Sequence, residues 1–82
     1  MKNTKKKEIP IVVINVGKKI SEIIAQKKLK QRDVAYDAGM DVENLRKYIK
    51  GKQEMKISTM LRITEALQIS VQELFEIKKP LD

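Results

Sequence analysis

The sequence predicts a single all-α domain built from four or five short helices. Its 82 residues suffice for one hydrophobic core but not for two. Hydrophobic residues make up 41% of the chain, which is ordinary for a folded domain, and from Val16 onward they recur at helical spacing. Glycines and N-cap residues separate the apolar segments, so the helices must be short.

The first segment of the chain is rich in lysine. We expect residues 1–8 to form a disordered basic arm. Residues 9–16 are mostly β-branched, and Pro10 lies among them. This composition suits a short extended segment, but the spacing of Ile9, Val13 and Val16 also suits a helix. The pattern leaves both alternatives open.

The first two helices follow from apolar spacing. The first helix runs to about residue 28, and one side of it carries Ile20, Ile23, Ile24 and Lys27. A second helix over residues 31–38 has an inner face formed by Val34, Ala35 and Ala38. Gly39 suits the left-handed position that follows a helix, because it has no Cβ.

Three further helices complete the predicted domain over residues 9–77. Asp41 is a good N-cap for a third helix over residues 42–50, which buries Leu45 and part of Tyr48 or Ile49. Gly51 ends it. The inner face of a fourth helix carries Ile57, Met60, Ile63, Thr64 and Leu67. A capping box at residues 70–73 begins a short fifth helix with the apolar residues Val71, Leu74 and Phe75. Residues 78–82 form a tail.

The composition argues against an enzyme. The chain has no cysteine and no histidine, which removes a disulfide framework, a thiolate zinc site and the commonest general base. We therefore expect no catalytic residue, no metal and no cofactor. The formal charge of +7 favours an anionic partner. A membrane is not expected, because the longest apolar stretch, residues 9–14, is far short of the ~20 residues needed to span one. We expect a cytoplasmic, nucleoid-associated protein.

The two short helices on either side of Gly39-Met40-Asp41 match the helix-turn-helix pattern over about residues 31–50. The glycine lets the chain reverse tightly, and Met40 can fill the wedge between the helices. Asp41 can accept hydrogen bonds from the N–H groups that begin the second helix.

The wider register, from Gly17 to Phe75, resembles the lambda-repressor-like DNA-binding domains of the XRE/Cro type. The matching residues are Gly17 to Ile20, Leu29, Gln31, Val34, Ala35, Gly39, Leu45, Gly51, Lys52, Met60 to Ile63, Ala66, Leu67, Ile69 to Val71, and Glu73 to Phe75. The resemblance implies a compact five-helix domain that binds duplex DNA. The predicted fold is this all-α domain with a short N-terminal extended arm.

The resemblance also implies which residues meet DNA. The second helix of the motif enters the major groove, where base contacts fall to Val42, Glu43, Asn44 and Lys47. Val42 could touch a thymine methyl, Glu43 could accept from cytosine, and Lys47 could donate to guanine. The DNA backbone would be met by Gln31, Arg32, Arg46, Lys50, Lys52 and Gln53.

The charge distribution supports the same face independently. Between Asn44 and Arg62 there are six basic residues and a single acid, Glu54, whereas no basic residue lies between Glu65 and Glu76. Glu43 could instead pair with Lys47, four residues along the helix. With three aromatic residues in the whole chain, a stacking platform for single strands is poorly supported.

Several positions depart from the family pattern. An arginine and a glutamate that often pair across the core are replaced by Ile24 and Ile49, which we expect to touch. The usual glycine after the first helix is Lys28, at a cost of ~1 kcal/mol if the residue takes positive φ. Lys30 and Lys56 replace the usual caps before the second and fourth helices. Ser58 could cap the fourth helix instead.

These features predict a sequence-specific transcriptional regulator that binds a palindromic operator as a homodimer. The candidate dimer contacts are Leu61, Gln68, Ile69, Val71 and Phe75. Two alternatives remain: an antitoxin-type module that binds a protein partner as well as DNA, and a nonspecific basic nucleic-acid-binding protein.

Overall fold

A computed structural model, which describes residues 8–76, shows five α-helices and confirms the all-α prediction. They are α1 (Ile11–Gln26), α2 (Gln31–Asp37), α3 (Val42–Ile49), α4 (Ile57–Leu67) and α5 (Val71–Phe75). The predicted basic arm, apart from Glu8, and the predicted tail over residues 78–82 lie outside the described residues.

The β-branched segment over residues 9–16 belongs mainly to α1. The helix begins at Ile11, directly after Pro10 at the N-cap position with φ −59° and ψ 148°. Proline is well suited to the start of a helix, because the first N–H groups have no intrahelical partner in any case. Among the described residues, Glu8, Ile9 and Pro10 precede the helix as irregular chain, so the extended alternative fails beyond Pro10.

The core draws on all five helices. Its fully buried large side chains are Ile20, Val34, Leu45, Ile63 and Leu67, and α5 adds Leu74. One expectation about a buried face is wrong, because Ile57, the first residue of α4, is 74% exposed. Lys27, at the end of α1, is exposed. Ile24 and Ile49 both pack in this core, and their direct contact stays a prediction.

Four helices end in the same way, in a Schellman motif. After α2, Gly39 N donates to Tyr36 O and Met40 N donates to Ala35 O, both at 3.0 Å. The same pair of hydrogen bonds closes α1, α3 and α4. Each motif satisfies carbonyl groups that the helix end would otherwise leave without a partner.

The residue that turns left-handed in each motif is not always glycine. Gly39 and Gly51 have φ 73° and 71°, but Lys28 and Gln68 adopt φ 59° with a full side chain. Lys28 therefore meets the condition under which its replacement of glycine carries a cost. Both side chains carry the steric cost of the left-handed conformation.

We predict that Lys28→Gly and Gln68→Gly each raise the free energy of unfolding by about 1 kcal/mol, because glycine adopts positive φ without strain. Gly39→Ala is the matched opposite. A Cβ there would meet nothing within 4 Å, so its expected loss of about 1 kcal/mol is purely conformational. Urea unfolding measures all three. Glycine variants no more stable than the parent would contradict the prediction.

Side-chain caps are scarcer than the sequence suggests. Asp41 occupies the N-cap position of α3 with extended backbone, but its carboxylate accepts no capping hydrogen bond. Lys30 and Lys56 hold the same position before α2 and α4, also without a side-chain bond, and Ser58 lies inside α4 rather than capping it. The capping box of α5 is confirmed, with Glu73 N donating to Ser70 Oγ at 3.3 Å.

Helix α1 approaches the end of α3 very closely at Gly17. A Cβ at this buried position would lie 2.8 Å from the carbonyl oxygen of Ile49 and still closer to that of Tyr48. Backbone oxygens cannot swing aside as a flexible side chain can. Gly17 therefore fixes the separation of α1 and α3.

We predict that Gly17→Ala lowers the free energy of unfolding by about 2 kcal/mol, because overpacking outweighs the ~1 kcal/mol by which alanine favours helix. Gln26→Ala, at an exposed position of the same helix, is the control and should change stability by less than about 0.5 kcal/mol. Thermal or urea unfolding gives both values. A Gly17→Ala protein as stable as the parent would show that the helices can separate at no cost.

Candidate nucleic-acid interface

The turn between α2 and α3 is held from several directions. Its Schellman motif fixes the end of α2, and Met40 packs against the core as expected for the wedge residue. From α4, Arg62 Nε donates to the carbonyl oxygen of Ala38 at 3.1 Å. A cation at a helix C-terminus also interacts favourably with the helix dipole. The second helix of the motif thus leaves the turn in a defined direction.

One buried residue orients the exposed face of α3. Leu45 is completely buried, so the residues on the other faces of this helix point outward. Of the predicted base-contacting residues, Glu43, Asn44 and Lys47 are exposed. Val42 is half-buried and packs against the core, which leaves only part of its side chain available for an apolar contact.

Polar contacts join the two helices of the motif at one edge. Arg46 Nε donates to Gln31 Oε1 at 3.1 Å, which links α3 to the first residue of α2. The other side of the same guanidinium lies 4.0 Å from the Glu43 carboxylate. Glu43 therefore pairs with Arg46, three residues along the helix, rather than with Lys47 as the sequence alone suggested.

The expected backbone-contacting residues lie at both ends of the motif. Lys30, Gln31, Arg32 and Arg46 line a shallow open groove at the start of α2, and none of these lining residues is acidic. Beyond α3, the side chains of Lys50, Lys52 and Gln53 are exposed. The exposed face of α3 is thus flanked by basic residues on either side.

The expected dimer residues lie on α4, α5 and the link between them. Leu61 and Phe75 are 46% and 45% exposed, so each keeps apolar surface in contact with water. Gln68 is also exposed, whereas Ile69 and Val71 are half-buried, and Ile69 packs on its own core. Exposed Ile57 at the start of α4 adds an apolar residue that the sequence pattern had assigned to the interior.

Two hydrogen bonds that hold the motif together were not predicted from the sequence. The bond from Arg62 to Ala38 joins residues 24 positions apart, and its one sequence signal is an arginine inside the apolar stretch Met60 to Ile63. The pairing of Gln31 with Arg46 carries no local signal, because it depends on how the turn sets α2 against α3.

A family model for the Cro/C1-type HTH DNA-binding domain matches residues 19–80. The chain belongs to this family. Membership confirms the resemblance found in the sequence and makes the protein a DNA-binding helix-turn-helix regulator rather than an enzyme. A search of curated proteins gives no match.

Solved structures of regulators share the fold. The restriction-modification controller protein C.AhdI from Aeromonas hydrophila superposes with a TM-score of 0.77 at 24% identity, over 80% of this chain and all of that one. The clp gene regulator ClgR from Corynebacterium glutamicum gives 0.76 at 20% identity, over 79% and 84% of the two chains. A hypothetical transcription factor from Neisseria gives 0.73 at 17% identity, over 92% and 90%. At these identities the likeness concerns the fold.

The described part of the chain contains no candidate membrane-spanning helix. Between residues 8 and 76, every helix is too short or too polar to cross a membrane.

Proposed function

We propose that this Cro/C1-type domain reads a specific palindromic operator in duplex DNA as a homodimer and thereby regulates transcription. The observation that carries the proposal is the exposed face of α3, where Glu43, Asn44 and Lys47 project from a helix anchored by buried Leu45. Basic residues flank this face on both sides. A helix of this size and polarity suits the major groove.

Base recognition is proposed for Val42, Glu43, Asn44 and Lys47. Glu43 can accept a hydrogen bond from the N4 amino group of cytosine, and Lys47 can donate to O6 and N7 of guanine. Asn44 offers both a donor and an acceptor. The exposed part of Val42 can touch a thymine methyl group.

Backbone contacts are proposed for a second group of residues, Gln31, Arg32, Arg46, Lys50, Lys52 and Gln53. They occupy the groove at the start of α2 and the chain that follows α3. Contacts of this kind set the position of the protein on the duplex and supply much of the affinity, but they do not read sequence directly.

Dimerisation is proposed through Leu61, Gln68, Ile69, Val71 and Phe75, with Ile57 beside them on α4. A single domain of this size offers few base contacts, so two copies on a symmetric site are the simplest route to useful specificity. The exposure of Ile57, Leu61 and Phe75 supports this choice, because a second copy would remove their apolar surface from water.

We predict that Glu43→Ala and Lys47→Ala each change the operator sequence that the protein selects, because each loses a contact worth about 1–3 kcal/mol of base discrimination. Selection from random duplexes followed by footprinting of the enriched site measures the change. The parent protein should enrich a symmetric motif. If both variants enrich the parent motif, other residues read the bases.

Lys52→Ala is the matched control for these two variants. It should weaken binding to every sequence alike. It should also make the negative slope of log K against log salt shallower by about 0.9, since it removes one phosphate contact. A parent protein that shows no sequence preference at any salt concentration would instead be a nonspecific DNA-binding protein.

We predict that Leu61→Glu and Phe75→Glu each weaken the dimer more than tenfold, because each would bury a charge without a partner. Gln72→Glu, at an exposed position of α5 outside the proposed contacts, is the control and should leave the dimer intact. Sedimentation velocity over a concentration series gives the dissociation constants, and circular dichroism checks the fold. Dimers of unchanged strength in both variants would place the interface elsewhere.

A further inference from the structure

The side chain of Arg46 joins the two helices of the motif. It belongs to α3, yet its Nε donates across the turn to Gln31 Oε1 at 3.1 Å, while its Nη1 lies 4.0 Å from Glu43 Oε2. Gln31 and Glu43 belong to different proposed groups: one meets the DNA backbone, and the other meets a base. A single guanidinium therefore touches both.

The chemistry of this contact fixes the orientation of the Gln31 amide. A guanidinium carries only donors, so the atom of Gln31 that faces it must be the carbonyl oxygen. The amide nitrogen then lies on the other side of the group, and Arg46 cannot occupy its two hydrogens. A phosphate oxygen is an acceptor that they can bind.

The surroundings of Gln31 suit that acceptor. The groove that contains it is lined otherwise by Lys30, Arg32 and Arg46; the charges of Lys30 and Arg32 attract a phosphate, while that of Arg46 lies beside the Glu43 carboxylate. Gln31 is also half-buried, which restricts the positions open to its side chain. Between exposed partners, the ion pair of Arg46 with Glu43 contributes little by itself, so the bond to Gln31 carries the greater weight.

We propose that Arg46 is a positioning residue: it acts on DNA through Gln31, whose amide it orients toward a backbone phosphate before binding. This inference rests on the proposed function and revises one part of it: Arg46 supports the backbone contact of Gln31 instead of contacting a phosphate itself. Lys50 and Lys52 would neutralise phosphates directly. Arg46 is instead held by Gln31 and Glu43 and would neutralise no phosphate, so Arg46→Met would leave the number of counterions released on binding almost unchanged.

A double-mutant cycle on duplex DNA tests the proposal. Gln31→Ala and Arg46→Met should each weaken binding about fivefold, the effect of one hydrogen bond. The double variant should be no weaker than the weaker single variant, because both changes remove the same contact. The salt dependence of Arg46→Met should match that of the parent protein. If the losses of affinity in the two single variants add, or if Arg46→Met makes the slope of log K against log salt shallower by about 0.9, the proposal is overturned and Arg46 is a direct phosphate ligand.

Lys50→Met, combined with Gln31→Ala, is the matched control. The loss of affinity caused by Lys50→Met should add to that caused by Gln31→Ala. Lys50→Met should also make the slope of log K against log salt shallower by about 0.9. The cycle can be measured on the selected operator or on duplex of arbitrary sequence, since a phosphate contact needs no particular base. A parent protein without sequence preference would contradict the proposed operator recognition, and the cycle would still test Arg46.

A measurement on the protein without DNA tests the positioning role of Arg46 separately from the proposed operator recognition. In nuclear magnetic resonance spectra, Gln31→Ala should shift the Nε–H resonance of Arg46, and Lys50→Met should leave it in place. An Arg46 resonance that does not respond to Gln31→Ala would overturn the positioning role, even if operator selection succeeds.

Discussion

The close approach of α1 to the end of α3 at Gly17 is the constraint on which the exposed face of α3 depends. With no side chain at that point, the backbone of α1 lies against the last carbonyl groups of α3. Leu45, one turn earlier, is buried in the same core. The inner face and the final turn of α3 are therefore both fixed. Its remaining surface is left free for other molecules, and the helix cannot rotate to hide it.

Helix ends provide the second organising element. Four successive helices finish with the same pair of hydrogen bonds, and each ends at a residue with positive φ. Glycine occupies that position on both sides of α3, whereas lysine and glutamine occupy it after α1 and α4. Glycine ends therefore lie on both sides of α3, the helix proposed to read DNA. The steric cost of positive φ falls instead on the ends of α1 and α4, and the α2–α3 turn carries none of it.

The sequence was sufficient to predict the five helices, because apolar spacing and glycine stops are local signals. It also predicted the capping box of Ser70, and it identified Lys28 as a residue that would be strained if it took positive φ. It did not predict the partner of Glu43, the bond from Arg62 to Ala38 or the exposure of Ile57. The bond from Arg62 and the exposure of Ile57 depend on how the helices pack, which no local pattern encodes. The partner of Glu43 lies in its own helix, where spacings of three and four residues both allow an ion pair, so the sequence does not choose between Arg46 and Lys47. The base and backbone contacts remain predictions, since they require DNA.

Helix α4 connects two surfaces through adjacent residues. Arg62 binds the end of α2, next to α3, while its neighbour Leu61 projects from α4 at the proposed dimer contact. In such a dimer, packed helices without a flexible linker would connect α3 of one copy to α3 of the other. The distance between half-sites would then be a fixed property of the protein. An operator lengthened by one base pair would have to twist or bend to fit, because the protein could not stretch to reach it.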